Sequence, residues 1–539
     1  MLAYPRHVRK WLPVIVLGLA QFVMVIDATV MNVSITTVVD DLGTTVSNMQ
    51  LAIATFTLTM AGFMLAGAGI GDRLGRRRTF VIGSVVYGIG SLTTALAPDF
   101  TVLFIGWSIV EGLGAVLVIP AIAALAAINY EGRDRAVAFG IIGGIGGAAA
   151  AAGPLIGGWV TSEFSWRWVF AAETIIIGAV ILPLTPLIRD GARKAVRGRF
   201  DIMGVVLSAA AMILIVLALV SASTWGIIHP IDPPFEVLGF SPVIPIVLVG
   251  VLVGWAFFGW ERHVVAKGRQ PLLGTDLLGI RSLRAGLGSQ MTLYFMIGGV
   301  FFILPLYLQT VLGLDAFESG LRMLPMSIAL FLMAIAGSRL ASKVSPRTLI
   351  QVGLVLAAIG VALLIGSIQP EARGTLFAVA MAVIGVGLGL AVSQITNVNL
   401  SAADESRSSG LGGLQGTGQN LGTSLGVAIA GSILFIGLAA TFNANLANEP
   451  AADANLQSAA KQATSTGIQV VSADQVDQAM VQAGLPPDQV NAVVDAYATS
   501  KLESLRGALG IVFVIGLLGL LVTGGLPKTP MAARGPPTG

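Results

Sequence analysis

Ala-Gly-Pro-Leu-Ile-Gly-Gly, Ala152 to Gly158, lies inside an apolar stretch that runs from Ala138 to Val160. Gly and Pro break helices in water, yet a membrane helix accepts them where neighbouring helices re-satisfy its backbone, and spaced small residues let two helices approach closely. Small residues recur four apart at Gly140/Gly144, Gly143/Gly147 and Gly153/Gly157, with Pro154 standing where a kink would fall. The stretch reads as a membrane helix built to pack tightly and bend at one place.

The remaining chain has the same chemistry. Of its 539 residues, 55% are hydrophobic and 11% charged, and the mean hydropathy is +0.86; soluble globular chains do not have this balance. An apolar helix needs about 20 residues to cross the hydrocarbon. Windows of that kind fall at about 11–36, 46–70, 79–97, 101–128, 137–160, 168–188, 202–221, 242–260, 285–311, 319–341, 348–368, 374–399, 411–438 and 504–525. The expected fold class is therefore an all-α polytopic membrane protein of about fourteen transmembrane helices.

Charge gives the orientation. An even number of spans puts both termini on one side, and every Lys and Arg except Arg167, Arg322, Arg373, Lys461, Lys501 and Arg506 falls on that side. Both termini are expected in the cytoplasm. The same clustering explains the pI near 9.3 without a nucleic-acid partner. Arg6, His7, Arg9 and Lys10 precede an apolar run too long for a signal-peptide core, which reads as an uncleaved first span.

The chain has no Cys, which excludes disulfides and thiolate metal sites. His7, His229 and His263 are too dispersed to bind metal, and Gly385-Val386-Gly387-Leu388-Gly389 sits inside a span with no strand before it, a packing surface and not a phosphate loop. No Walker sequence is present, so no metal and no cofactor are expected, and energy must come from a gradient.

Carboxylates at membrane depth are costly and mark functional sites by default. Asp27, Glu111 and Glu173 qualify. Glu111 is about ten residues into its span, near the bilayer centre, where desolvation suits reversible protonation. Asp27 lies outside the midplane, and Glu173 falls near the outer third, where it could also reach water as a structural group. Polar uncharged groups in the second half, Gln309, Gln394, Asn397 and Gln415, are candidate substrate contacts, together with Gln290 and Gln419; many such groups simply bond between helices.

Several motifs resemble the fourteen-span drug:proton antiporter branch of the major facilitator superfamily. Gly153, Pro154, Gly157 and Gly158 match the antiporter signature of the fifth helix, with Ala149 where a Gly usually stands. Gly71-Asp72-Arg73-Leu74-Gly75-Arg76-Arg77-Arg78 resembles the superfamily's loop motif between the second and third helices. There the resemblance implies a cytoplasmic gate of Asp72, Arg73, Gly75 and Arg76, with Asp72 pairing Arg76 or Arg133. The second half has Ser342 where an Asp would stand, so such a latch is asymmetric. Ile26-Asp27-Ala28-Thr29-Val30-Met31-Asn32-Val33 resembles the first-span motif linked to coupling or cationic drug recognition. Ser108-Ile109-Val110-Glu111-Gly112-Leu113-Gly114-Ala115 follows the fourth-span motif, with Ser108 in place of the proton-transfer Arg and Glu111 in place of Gln. Trp166-Arg167-Trp168-Val169-Phe170 and Gly418-Gln419-Asn420-Leu421-Gly422 also match in order.

The resemblance implies a major facilitator fold: residues 1–190 as one six-helix bundle, 191–284 as a linker with two additional helices, and 285–539 as a second bundle with an outer loop at 440–503. In that loop, Ser472 and Gln475 form a capping-box pattern and Pro486-Pro487 separates two helix-like pieces, giving a hairpin that serves as spacer or lid. The implied function is a bacterial plasma-membrane exporter that exchanges protons for an amphipathic, cationic or lipophilic drug, as a monomer in the lipid bilayer. Asp27, Glu111 and Glu173 would take proton or substrate. Two alternatives stay open: export of an endogenous lipid, siderophore or metabolite, and a non-transporting sensor that kept the fold.

Overall fold

The computed structural model describes residues 6–190, 200–269, 271–274, 276–370, 374–402, 408–465 and 467–530. Among them the secondary structure is helical, with no β-strand. Thirteen helices are long and apolar enough to cross a membrane. The expected third span, Arg76–Ala95, is a helix of 20 residues that falls short in apolarity because it opens on three Arg and carries Ser84, Ser91, Thr93 and Thr94. With it the fourteen expected helices are present.

The helices are α1 (Arg6–Val33), α2 (Val46–Leu74), α3 (Arg76–Ala95), α4 (Phe100–Asn129), α5 (Gly132–Glu163), α6 (Arg167–Leu187), α7 (Ile202–Val220) and α8 (Val243–Ala266), followed by α9 (Arg281–Thr310), α10 (Ala316–Leu340), α11 (Pro346–Ser367), α12 (Gly374–Leu400), α13 (Ser408–Ala447) and α14 (Pro487–Val522). One end of the bundle carries the α2–α3 turn with its arginines; it is called the arginine-bearing end here, and the opposite one the far end. Gly75 makes that turn at φ +97, a conformation that excludes most side chains. At the far end, Thr45 caps α2 through Asn48 N–H at 3.1 Å and Asp99 caps α4 through Val102 N–H at 3.0 Å.

Glycine sets the helix spacing. The Gly385–Gly389 run lies on α12: a Cβ on Gly385 or Gly389 would overlap the carbonyl oxygen of Met326 or Leu330 on α10, and one on Gly387 would come 2.8 Å from Ala357 Cα on α11. The run is a packing surface, as its sequence context predicts. Between the two halves, Gly158 of α5 lies against the Ala316 carbonyl of α10, and Gly320 of α10 lies against the Pro154 carbonyl of α5. Phe317 N–H donates to Ser162 Oγ at 3.1 Å beside them. Gln309 reaches from α9 to donate to the Val33 carbonyl at 2.8 Å and to accept from Thr36. The halves are closed at the far end.

Three of the six basic residues that break the charge rule have a common use there. Arg167 Nη2 donates to the Ala97 carbonyl at 2.8 Å, just past α3. Lys501 Nζ donates to the Thr310 carbonyl of α9 at 2.7 Å, and Arg506 Nη2 to the Ile368 carbonyl past α11 at 2.6 Å. All three helices end at the far end, so each cation sits on exposed C-terminal carbonyls and the negative pole of a helix dipole.

The segment between α13 and α14 contains two short helices, Ala454–Ser465 and Ala473–Gln482. The capping box forms: Gln475 N–H donates to Ser472 Oγ at 3.2 Å, and Ser472 N–H to Gln475 Oε1 at 3.0 Å. The proline pair does not divide a hairpin. Pro487 opens α14 itself, at the position where its missing N–H costs nothing. With 40 and 36 residues, α13 and α14 are about 60 and 54 Å long at 1.5 Å per residue, well beyond the ~30 Å hydrocarbon.

Two outcomes are expected. Gly158→Val forces α5 and α10 apart at main-chain contact and lowers thermal stability by about 1–3 kcal/mol, whereas Gly140→Ala, which meets no atom within 4 Å, leaves it equal or slightly higher; melting curves in detergent compare them. Asp41 loses solvation on folding, which would raise its pKa, but hydrogen bonds from Arg167 and Trp166 and the Arg167 charge outweigh that and lower it below the ordinary 3.8. The stabilising contribution is therefore present above that value and lost as pH falls through the lowered one. Because the pair is solvent-exposed it amounts to at most ~0.5 kcal/mol, and in Asp41→Asn that acid-dependent increment of unfolding free energy should be missing.

Candidate functional site

Asp27 on α1, Glu111 on α4 and Glu173 on α6 come together: one oxygen of each lies within 4.8 Å of the others. Asp27 and Glu111 are 0% exposed and Glu173 is 2% exposed. Glu173 does not reach toward water, as its position near a span end allows, but turns into the bundle. Counting along the helices from Val33 and from Arg167, Asp27 and Glu173 lie about 9 Å from the far end at 1.5 Å per residue.

Four neighbours hold the cluster. Trp107 Nε1–H donates to Asp27 Oδ1 at 2.9 Å, and its ring stacks on Phe56 of α2 with centroids 4.8 Å apart. From α3, Ser91 Oγ and Tyr87 OH donate to Glu173 Oε2 at 3.1 and 3.3 Å. Trp107, Tyr87 and Ser91 were not singled out from sequence because aromatic and hydroxyl residues in spans usually pack. A signal existed: Trp107/Glu111 and Tyr87/Ser91 are both four-residue pairs on one helix face.

Backbone contact sets the register. A Cβ on Gly90 of α3 would lie 2.5 Å from Glu111 N and 2.7 Å from its Cα, and one on Gly114 of α4 would lie 2.6 Å from Tyr87 Cα. Phe104–Glu111 is a π-helical stretch and so is Ile176–Ile181, just past Glu173; such widened turns frequently occur at functional sites. Ser108, where the related motif has Arg, donates to the Ala52 carbonyl of α2 at 2.9 Å. It ties two helices together.

Asp27 Oδ2, both Glu111 oxygens and Glu173 Oε1 are buried without a hydrogen-bond partner, and among the described residues no Lys, Arg or His forms an ion pair with the three. Two unit charges 4.8 Å apart repel by roughly 3 kcal/mol even at an effective dielectric of 20. Three such groups fit burial as a proton-sharing set that titrates together. Their oxygens are also the donor type a hard cation uses.

The other singled-out residues fall into three places. At the arginine-bearing end Asp72 pairs with Arg76, which also donates to the Ala68 carbonyl at 3.2 Å. Arg73 lies 5.3 Å over the Phe200 ring; the side chain of Arg133 lies outside the described residues. The glycines of the fifth-helix motif touch two partners: Gly153 and Gly157 lie against Thr29 and Val30 of α1, next to Asp27, while Gly158 meets α10. In the second half, Gln394 Nε2 donates to the Gly337 carbonyl at 2.8 Å and Gln415 to Thr396 Oγ1 at 3.3 Å, both near the arginine-bearing end. Asn397 is half-buried there, and Gln309 is committed to the far-end closure.

The family model of the Major Facilitator Superfamily matches residues 17–427. The chain belongs to the Major Facilitator Superfamily. This facilitator is a multi-pass membrane transporter by family, similar over 82% of its length, at 30% identity, to puromycin resistance protein pur8 of Streptomyces alboniger, of which 85% is covered. It is 27% identical to methyl viologen resistance protein SmvA of Salmonella typhimurium over 94% of this chain and 98% of that one. Among solved structures, an inward-facing, unoccupied bacterial homologue of the human lysosomal transporter Spinster matches at TM-score 0.61 and 16% identity, over 97% of this chain and 98% of that one, and shares the fold.

Removing the indole donor in Trp107→Phe strands Asp27 Oδ1 in the core. The expected cost is about 1–3 kcal/mol, read as a lower melting temperature, and it should largely vanish in the double variant Trp107→Phe/Asp27→Leu.

Proposed function

We propose that this facilitator is a proton-coupled antiporter of a bacterial inner membrane that exports amphipathic, cationic or lipophilic compounds, with both termini cytoplasmic. The observation that carries the coupling is the buried cluster of Asp27, Glu111 and Glu173 with four unpartnered oxygens. The names of the relatives, resistance proteins for puromycin and methyl viologen, support the substrate class. The Lys and Arg distribution supports the orientation, which makes the arginine-bearing end cytoplasmic and the far end external.

In this reading the three carboxylates take protons only. They face the interior of the first bundle among α1, α3, α4 and α6, not the space between the halves, and they sit nearer the external side from which protons enter. Substrate would occupy the crevice between the halves, where Asn397 and Gln415 are the nearest candidate contacts and Gln394 supports them. Asp72, Arg73, Gly75 and Arg76, with Arg133, would latch the cytoplasmic side when it closes. Gly153, Pro154, Gly157 and Gly158 connect proton site to gate: Gly153 rests on Thr29, two residues from Asp27, and Gly158 on α10. A change in the charge of the cluster moves α1, and α5 carries that motion to the other half.

Reconstituted protein loaded with methyl viologen tests this. A proton gradient directed inward across the membrane should drive efflux, faster as the external side is acidified, and Glu111→Gln and Asp27→Asn should lose gradient-driven efflux while methyl viologen binding persists. Gradient-driven transport at the wild-type rate in Glu111→Gln would sink the proposal, and a rate set by a sodium gradient at constant pH would assign the cluster to a cation.

A further inference from the structure

The two seams between the halves are unequal. Along α2 and α13 the contact runs the whole length and is made of side chains bonded to the opposite main chain. Gln50 Nε2 donates to the Val427 and Ala428 carbonyls at 3.1 and 3.0 Å, Ser424 Oγ to the Ala54 carbonyl at 2.8 Å, and Thr417 Oγ1 to the Ala61 carbonyl at 3.2 Å. Toward the arginine-bearing end the ladder continues in apolar contact, with Gly416 against Met64 and Gly413 against Leu65 and Ala68.

The inserted pair covers this seam. Ala209 of α7 faces Gly62 of α2 with its Cα 3.5 Å from a Cβ built there, and Phe200 lies against Gly69. At the far end of the same helix, the Leu219 carbonyl accepts from Ser432 Oγ of α13 at 2.6 Å. Phe257 of α8 joins Leu65 of α2 and Leu411 and Leu414 of α13 in one buried apolar cluster. The inserted helices thus touch both sides of one seam at each end.

The α5–α10 seam has no such cover. Gly140, Gly143, Gly144 and Gly147 lie on one face of α5 by their spacing of three, four and seven. Gly147 meets Phe331 of α10 at 3.4 Å, but the other three meet nothing within 4 Å. On α10, one turn beyond Phe331, Ile335 is 44% exposed. The two helices touch in their far halves and part toward the arginine-bearing end.

We propose that α7 and α8 turn the α2–α13 seam into a fixed hinge, so that the halves open only along α5–α10, as a side fissure rather than a symmetric mouth. Side chains bonded to a facing main chain have no second partner if the helices slide, and a third element bonded to both strands of the seam resists their parting. The work of opening is least where neither restraint exists. That transport needs such opening rests on the antiporter reading; the hinge itself does not.

Because the chain has no Cys, introduced pairs are the only thiols. Spin labels at Gly144→Cys/Ile335→Cys across α5–α10 should change separation by about one helical turn, roughly 5 Å, between pH 5 and pH 8 in liposomes. Labels at Met64→Cys/Gly416→Cys across α2–α13 should keep one unchanged distance. Oxidising the second pair to a disulfide should leave methyl viologen efflux within twofold of the reduced protein, while bridging the first with a short bis-maleimide should lower it at least tenfold. Equal movement of both pairs, or efflux abolished by the α2–α13 disulfide and restored by reduction, overturns the hinge. If the wild type moves no substrate, the antiporter reading fails and the spin-label distances still decide the hinge.

Discussion

Three carboxyl groups share one dry point among α1, α3, α4 and α6 with no cation beside them, and much of the first half follows from keeping them there. Such groups are tolerated only if every supporting donor is in register, because a displaced donor leaves one more unpaired oxygen in a low-dielectric core. Trp107, Tyr87 and Ser91 are those donors. Their register is set by helix-to-helix main-chain contact at Gly90 and Gly114, which leaves no room for a shift. The Asp27 helix is in turn backed by Gly153 and Gly157 of α5, so the cluster and the far-end closure share a wall.

The distribution of basic residues has two physical sources. Most Lys and Arg sit at the arginine-bearing end, following the rule that orients membrane helices during insertion. Arg167, Lys501 and Arg506 break that rule and instead satisfy terminal carbonyls at the far end. A cation there is placed by the geometry of helix ends rather than by topology.

The sequence analysis reached the fold and the identities of the three carboxylates but not the arrangement of the site. Span count, charge bias and motif order depend only on residue type and spacing. Convergence of Asp27, Glu111 and Glu173 depends on which face each helix turns inward, and almost uniformly apolar spans carry no amphipathic signal to say so. Local rules were readable where they were self-contained, as with the Ser472/Gln475 box, and misleading where context decided. Pro486-Pro487 looks like a break between two pieces, yet Pro487 begins a 36-residue helix. Gln309 looks like a substrate contact from depth alone, but it spans the far-end seam to the Val33 carbonyl.

One tether at the far end has a mechanical consequence. Lys501 donates to the Val471 carbonyl at 2.8 Å as well as to α9, Tyr497 OH accepts from Val471 N–H at 2.9 Å, and Asn443 of α13 donates to Thr464 Oγ1 at 2.8 Å. Those bonds fasten the external segment to α9, α13 and α14, all in the second half. The segment is ballast on one rocker arm, carried along rather than free to fold over the mouth. A rigid label at its Gly484 turn would sweep an arc with that half, making the most solvent-accessible part of the molecule a pointer to motions buried in the membrane.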